Sequence, residues 1–149
     1  MIGLRSAMFA LAMSCLCLSP FAHASDAIGF VRVLKGEAYQ SDHGKVVQLT
    51  PNMAVGQGTQ ITTHAGASVG IIFKDNTVIA LGPDSVFSIQ NYAYSPEQAA
   101  YAFGATLNKG TLAYSSGAIA ERNPMGVTLK TPNGDVSVRG NQFAVKVDE

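Results

Sequence analysis

The strongest pattern along this chain is the alternation of apolar and polar residues, and it is clearest between Thr59 and Gln90. Over positions 68–74 the odd-numbered residues are Val, Ile and Phe, whereas the even-numbered ones are Ser, Gly and Lys, with only Ile72 out of phase. Similar alternation recurs over 77–82 and 85–92. A period of two residues is typical of a strand that buries one face. The pattern therefore predicts three strands, each with one buried face and one wetter face.

Turn-forming residues separate these strands. Asp75-Asn76 tolerates the left-handed backbone that a tight hairpin requires. Gly82-Pro83 ends the next strand, because proline has no amide hydrogen to donate to a neighbouring strand. The segment is thus predicted to be an antiparallel meander.

The rest of the chain has the same character, which predicts an all-β fold of many short antiparallel strands. These strands can form a sandwich, a roll or an irregular solenoid. At most one short helix is expected, near 95–103, where Ser95 can cap a helix and Pro96 suits its first turn. The further predicted strands cover residues 27–34, 36–40, 45–49, 59–63, 105–116, 127–131, 135–140 and 142–147.

The N-terminal 24 residues have the organisation of a secretory signal peptide. Arg5 precedes an apolar run that stops at Pro20, and small residues lead to Ala24. We expect cleavage between Ala24 and Ser25. The mature protein is then one domain, residues 25–149, and is either periplasmic or secreted. The apolar run is too short for a stable membrane span. Retention of the leader as an anchor is the alternative.

Composition and charge narrow the classes of function. Apolar residues make up 47% of the chain and charged residues 13%, which is enough to fill a core. Cys15 and Cys17 both lie in the leader, so the mature chain has no thiol. Without Arg5, nine Lys and Arg oppose ten Asp and Glu, and a net charge near minus one offers no attraction to nucleic acid.

The sequence gives little support to catalysis. His43 and His64 lie beside glycine-containing turns and lack a third ligand at a recognisable spacing, so no metal and no cofactor are expected. No hydroxyl lies in a recognised nucleophile motif. An unrecognised hydrolase would require Asp75, Asp84 and Asp135 to come together. The chain is therefore predicted not to be an enzyme.

Aromatic residues cluster around the predicted helix and form a candidate interface, because such residues are enriched where proteins meet. Two alternatives stay open: the cluster can cover one end of the core, or it can form the apolar wall of a ligand groove. The cluster consists of Tyr92, Tyr94, Tyr101 and Phe103.

Several segments together resemble the FecR family of envelope proteins. The pieces are IGFVRVLKGEAY, then VGQGTQITTHAGASVGIIFKDNTVIALGPDSVFSI, LNKGTLAY and VTLKTPNGDVSVRGNQFAVKV, in that order. The most specific piece is Val138-Arg139-Gly140 followed by Phe143, whose role we expect to be structural. Asn76 and Asn141 stand where the family usually has glycine and threonine.

The resemblance implies a non-enzymatic periplasmic domain that serves protein interaction or signalling in the cell envelope. The best-known members join such a domain to a membrane helix and a cytoplasmic part, and this chain looks like a standalone secreted form. The expected partner is another envelope protein, bound through β-structure. We expect Arg139 to pair with Asp84 or Asp75. The alternative function is a carrier or sensor domain for a small molecule, lipid or glycan.

Overall fold

The computed structural model describes residues 26–138 and 140–148. In this part of the chain, twelve strands form one curled sheet, a half-barrel that encloses a single core. The predicted all-β class is confirmed, and the arrangement is closest to a roll. The leader, the predicted cleavage site at Ala24 and Ser25, and Arg139 lie outside the described residues. The strands are β1 (Ala27–Lys35), β2 (Ala38–Asp42), β3 (Lys45–Gln48), β4 (Ala54–Gly56), β5 (Gln60–Thr63), β6 (Ser68–Phe73), β7 (Val78–Leu81), β8 (Val86–Ser95), β9 (Ala100–Ser115), β10 (Val127–Thr131), β11 (Gly134–Ser137) and β12 (Gln142–Val147).

The sheet has two limbs that share the long strand β9. Limb A has the order β4-β1-β6-β7-β9-β12 and uses residues 110–115 of β9. Limb B has the order β3-β2-β5-β8-β9-β10-β11 and uses residues 100–109 of β9. The pairing of β10 with β9 is parallel, and the other strand pairs are antiparallel. Strands β7 and β8 pair with successive parts of the same side of β9, residues 112–115 and 100–109. The chain turns between β7 and β8, and the sheet bends at this point.

Small residues form the line along which the sheet bends. Gly110, in the middle of β9, has a φ of 94° and lies against Ser85. A Cβ at position 110 would lie 2.5 Å from the Ser85 Cα, so no other residue fits without moving the neighbouring strand. Gly36, between β1 and β2, has a φ of 71° and lies in the same way against Ala67. Glycine alone adopts this backbone without strain and permits this approach.

Buried hydroxyls satisfy the backbone groups that the bend frees from the sheet. The Thr63 hydroxyl donates to the Gly82 carbonyl at 2.6 Å and accepts from the Ser85 amide at 2.9 Å. The Ser85 hydroxyl donates to the same carbonyl at 2.9 Å and accepts from the Thr111 amide at 3.1 Å. Thr63 and Ser85 are both buried. The bend is therefore hydrogen-bonded through side chains where strand pairing stops.

Helical structure differs from the prediction in its position. Near 95–103, only a single 3-10 turn forms, Pro96–Gln98, and Ser95 makes no capping bond. Because β8 and β9 stay paired up to Ser95 and Ala100, this segment is the loop of a hairpin. In the described part of the chain, the one α-helix is α1 (Ala118–Arg122), followed by a 3-10 turn over Pro124–Gly126. It lies between the strands predicted at 105–116 and 127–131, where no helix was expected.

Candidate functional site: the β12 edge and the outer face of limb A

In the described part of the chain, the two histidines lie apart from each other, as do the three predicted carboxylates. His43 is exposed and lies 2.5 Å from Asp42, its neighbour in the chain. His64 Nδ1 lies 3.6 Å from Glu37 Oε2. Asp84 and Asp135 are exposed, whereas Asp75 is buried at the opposite end of β7 from Asp84. No group of three His, Cys, Asp or Glu side chains that could bind a metal exists among residues 26–138 and 140–148.

The buried carboxylate of Asp75 organises the turn between β6 and β7. It accepts hydrogen bonds from the Thr77 hydroxyl at 2.6 Å, the Tyr92 hydroxyl at 3.0 Å and the Ile119 amide at 3.2 Å. The Asp75 backbone carbonyl also accepts from the Ala118 amide at 2.8 Å. These bonds connect the turn to β8 and to the start of α1. Because all of its acceptor sites face the protein interior, we assign Asp75 a structural role.

Burial, followed by the nearby charge of Asp75, raises the pKa of Tyr92 above its ordinary value. Burial also raises the pKa of Tyr114 on β9. Both phenols face the core, so each keeps its proton at alkaline pH values at which an exposed tyrosine would lose it. This environment is that of structural tyrosines.

The aromatic cluster divides into a buried pair and a peripheral pair. Tyr92 on β8 faces Phe103 on β9, and their exposed fractions are 8% and 2%. Tyr94 is opposite Tyr101, two residues closer to the hairpin loop, and both are half-buried. Tyr92 and Phe103 are therefore core residues, while an interface role for Tyr94 and Tyr101 stays a prediction. Four surface depressions in the described part of the chain are lined by other residues, so the cluster is not the wall of any of these.

The residues of the C-terminal motif lie beside the last strand, β12. Val138 packs on the rim of the core, and Gly140 has a φ of 105°. Phe143 is half-buried and stacks on Tyr114 with ring centroids 4.8 Å apart. The expected pairing of Arg139 with Asp84 or Asp75 lies outside the described residues.

Strand β12 forms an open edge of limb A. In an antiparallel strand, the N–H and C=O of one residue point to the same side, and those of the next residue point to the other side. Thr111 directs both groups to the β7–β8 bend, since its amide donates to Ser85 Oγ and its carbonyl accepts from the Gly82 amide. Leu112 and Tyr114 must therefore bond to β12.

The pairing register then identifies the free backbone groups of this edge. Leu112 and Tyr114 are opposite Val145 and Phe143. The alternate residues Gln142, Ala144 and Lys146 consequently direct their N–H and C=O groups away from the sheet. No strand of residues 26–138 and 140–148 pairs with this side of β12. A depression of about 390 Å³ beside the edge is lined by Val78, Ala80, Ala113, Tyr114, Ser115, Gln142 and Phe143.

The outer face of limb A is apolar, contrary to the wetter face that the alternation predicted. Phe30, Val33 and Val78 are exposed there by 40%, 53% and 36%. The pairing register places apolar and small residues beside each other across five strands. We call this surface the outer apolar face; it consists of Phe30, Val33, Gly70, Ile72, Val78, Ala80, Ala113 and Ala144.

The sequence carried a signal for this face that was not recognised. Ile72 was the residue out of phase in its strand, and it is next to Val78 in the sheet. By contrast, apart from the exposed Val46 on β3, the corresponding face of limb B has mainly the expected polar residues. These include Ser41, Gln60, Ser88 and Thr106, which lie beside each other on neighbouring strands.

A family model described as FecR protein matches residues 59–149, which is more than half of the chain. The chain belongs to the FecR family. No curated protein and no solved structure matches the chain. The family is a regulatory, non-enzymatic one and suggests a signalling domain of the cell envelope. In the described residues of this FecR protein, no helix has the length and apolar content needed to cross a membrane.

The FecR match begins at Thr59 and so excludes the strands β1 to β4, although the resemblance seen in the sequence included them. These strands are nevertheless integral to the domain, because β1 pairs with β6 and β2 pairs with β5. Asn76, which replaces the usual glycine, has a φ of 67°. Asparagine tolerates this left-handed conformation, so the turn of the family is preserved.

Proposed function

We propose that this FecR protein is a non-enzymatic periplasmic module that regulates or signals in the cell envelope by binding another envelope protein. Its leader is removed after Ala24, and the mature domain is released from the membrane. The partner contributes an extended segment that pairs with β12 as an additional strand. The observation that carries this proposal is the open edge of β12. There, every second residue, namely Gln142, Ala144 and Lys146, directs its unpaired backbone N–H and C=O groups outward.

Two features support strand addition at this edge. The added segment would bond to the backbone of Gln142, Ala144 and Lys146, which provides affinity without a particular side chain. Its side chains on the inner face would cover Phe143 and Val145, which are only half-buried. Long edges of this kind attract other chains unless they are blocked, and β12 has only one cation, Lys146, as protection.

The test of strand addition uses a proline that removes a single outward N–H. In Ala144→Pro the lost amide faces the open edge, so limb A stays paired while strand addition is blocked. Ala144→Thr keeps the amide and serves as the matched control. A photo-crosslinking amino acid at position 142 of the full chain, expressed in its host, should give an adduct of defined mass. We expect the adduct in Ala144→Thr and not in Ala144→Pro.

Two results would contradict this function. One is the absence of any reproducible adduct from position 142; the other is an adduct that persists in Ala144→Pro. The location is tested separately by fractionation and intact mass. A soluble periplasmic species that begins at Ser25 is expected, whereas a membrane-bound species that retains Met1 would mean that the leader is an anchor.

A further inference from the structure

The outer apolar face of limb A is a second surface that lacks a covering layer in the described residues. Most sheets bury an apolar face against another layer of structure. The outer surface of limb B is mostly polar, with Val46 on β3 as a single large exposed apolar side chain. Three of the large exposed apolar side chains of the described residues, Phe30, Val33 and Val78, lie together on limb A. Such a concentration marks an interaction site.

The shape of the face is set by two neighbouring rows of residues that cross the strands. One row contains Phe30, Ile72 and Val78, and these form a ridge. The next row begins with Val33 on β1, which lies against Gly70, and continues with the small residues Gly70, Ala80, Ala113 and Ala144. The small residues form a shallow floor beside the ridge. From β6 to β12 this floor spans three strand spacings, or about 14 Å.

Charge is distributed unevenly around this face. The strands of limb A contain Arg32, Lys35 and Lys146 but no Asp and no Glu. Lys35 and Lys146 are both exposed and lie next to the row of small residues, since they pair with Ser68 and Thr111. Asp148 pairs with Lys146 at 2.7 Å, and such an exposed ion pair is weak. The face is thus apolar with a cationic margin.

We propose that the outer apolar face binds an amphipathic helix of a partner protein, with an apolar stripe and carboxylates along its flank. A helix of about ten residues covers 15 Å, which matches the floor, and small residues allow its axis to come close. Its carboxylates would face Lys35 and Lys146. A second copy of the chain would bring like charges together across the interface, which costs free energy. The inference extends the proposed partner binding to another surface, which uses the side chains of Ala144 and Lys146 on β12 but not the outward backbone groups of that strand.

The first experiment measures binding of synthetic helical peptides to the full chain by fluorescence anisotropy. Two 18-residue peptides share one leucine stripe and carry either Glu or Lys along its flank. We expect the Glu peptide to bind at least tenfold more tightly than the Lys peptide at low ionic strength. Ala80→Glu, an exposed change in the middle of the floor, should weaken the Glu peptide at least tenfold. Ser88→Glu, which lies on the outer face of limb B, should not.

A charge reversal tests the same inference without changing the apolar residues. In the double variant Lys35→Glu and Lys146→Glu, the preference should invert in favour of the Lys peptide. Both side chains are exposed, so folding should be retained and is checked by circular dichroism. Equal affinity of the two peptides, or an unchanged preference in the double variant, would overturn the inference.

Two other occupants give distinct results that would also overturn it. Flotation of the chain with phosphatidylglycerol vesicles, lost in Ala80→Glu, would indicate a membrane surface. A dimer in sedimentation velocity that Ala80→Glu dissociates would indicate a second copy. Because Ala80→Glu leaves the outward amides of β12 in place, the envelope adduct at position 142 tests the proposed function separately from this face.

Discussion

Replacing Asp75 by asparagine tests whether the buried carboxylate connects the β6–β7 turn to the rest of the domain. The side chains have nearly the same shape, but one carboxylate oxygen becomes an NH2 group. One oxygen accepts from Tyr92 and, at 3.4 Å, from the Thr77 amide; the other accepts from the Thr77 hydroxyl and the Ile119 amide. Whichever way the amide is oriented, its NH2 group then faces one backbone N–H, which cannot accept, and one hydroxyl, which must change from donor to acceptor.

The expected loss follows from those two bonds. A hydrogen bond to a charged group contributes about 1.5–3 kcal/mol, and a buried donor without a partner adds a cost of its own. Removing the charge from the interior recovers part of this, because burial of a carboxylate is itself unfavourable. We expect Asp75→Asn to lower the free energy of unfolding by about 3 kcal/mol. For a domain of this size, that is a fall in Tm of roughly 10 °C.

Urea unfolding followed by circular dichroism measures this change. Asp135→Asn is the matched control, because it makes the same chemical change at an exposed position of β11 and should alter stability by less than about 0.5 kcal/mol. Tyr92→Phe removes the donor to the carboxylate and also the acceptor of the Asp75 amide at 3.1 Å, so it should cost about 2 kcal/mol. In the double variant the two losses should not add, because the residues share a bond. If Asp75→Asn is as stable as Asp135→Asn, the reasoning is wrong.

Three further predictions concern the bend, the tyrosines and the N-terminal strands. Gly110→Ala should lower the free energy of unfolding in urea by at least ~3 kcal/mol, because the new Cβ collides with Ser85. The control is Gly58→Ala, where φ is 84° and the surrounding space is open; it should cost only the ~1–2 kcal/mol of backbone strain. Equal losses in the two variants would refute the role of the bend. The raised pKa values of Tyr92 and Tyr114 mean that the folded state keeps protons that the unfolded state loses above about pH 10. Stability should therefore be unaffected below that pH and fall above it, and Tyr92→Phe should unfold less steeply with alkali; a parallel decline in both proteins would count against this assignment. A fragment of residues 59–149, the part that the family model matches, should show no cooperative unfolding transition, because it lacks Ile28, Val31 and Val55 of the core; a sharp transition would contradict this.

The strands could be predicted because their signals are local. Alternation and turn residues gave nearly every strand, and the left-handed turn at Asn76 was expected from its side chain. The bend was only partly visible. Lys35-Gly36 and Lys109-Gly110 resemble each other in sequence, and both glycines lie on the line where the sheet bends. A glycine with positive φ also occurs in ordinary hairpins, so the sequence could not show that these strands continue from one limb into the other.

The helix was placed wrongly because local signals competed with distant contacts. Ser95 and Pro96 favour a helix start, but the pairing of β8 with β9 restricts that segment to a hairpin loop. Helix α1 has no side-chain cap, and its amides at Ala118 and Ile119 instead bond to Asp75, more than forty residues away. The burial of Tyr92 and Phe103 likewise depends on cross-strand pairing, so the sequence left open whether they belong to the core or to an interface.

The candidate binding surfaces illustrate why function was harder to predict than fold. The outer apolar face combines single residues from five strands, and Phe30 and Ala144 belong to opposite ends of the described chain. Within any one strand, an apolar residue on the wetter face looks like an exception, as Ile72 did. Only the register of the sheet shows that these exceptions lie beside each other on limb A and not on limb B. In a domain without a catalytic cluster among its described residues, the difference between the two outer faces is therefore the property that depends most on tertiary structure, and it is the one that partner binding would use.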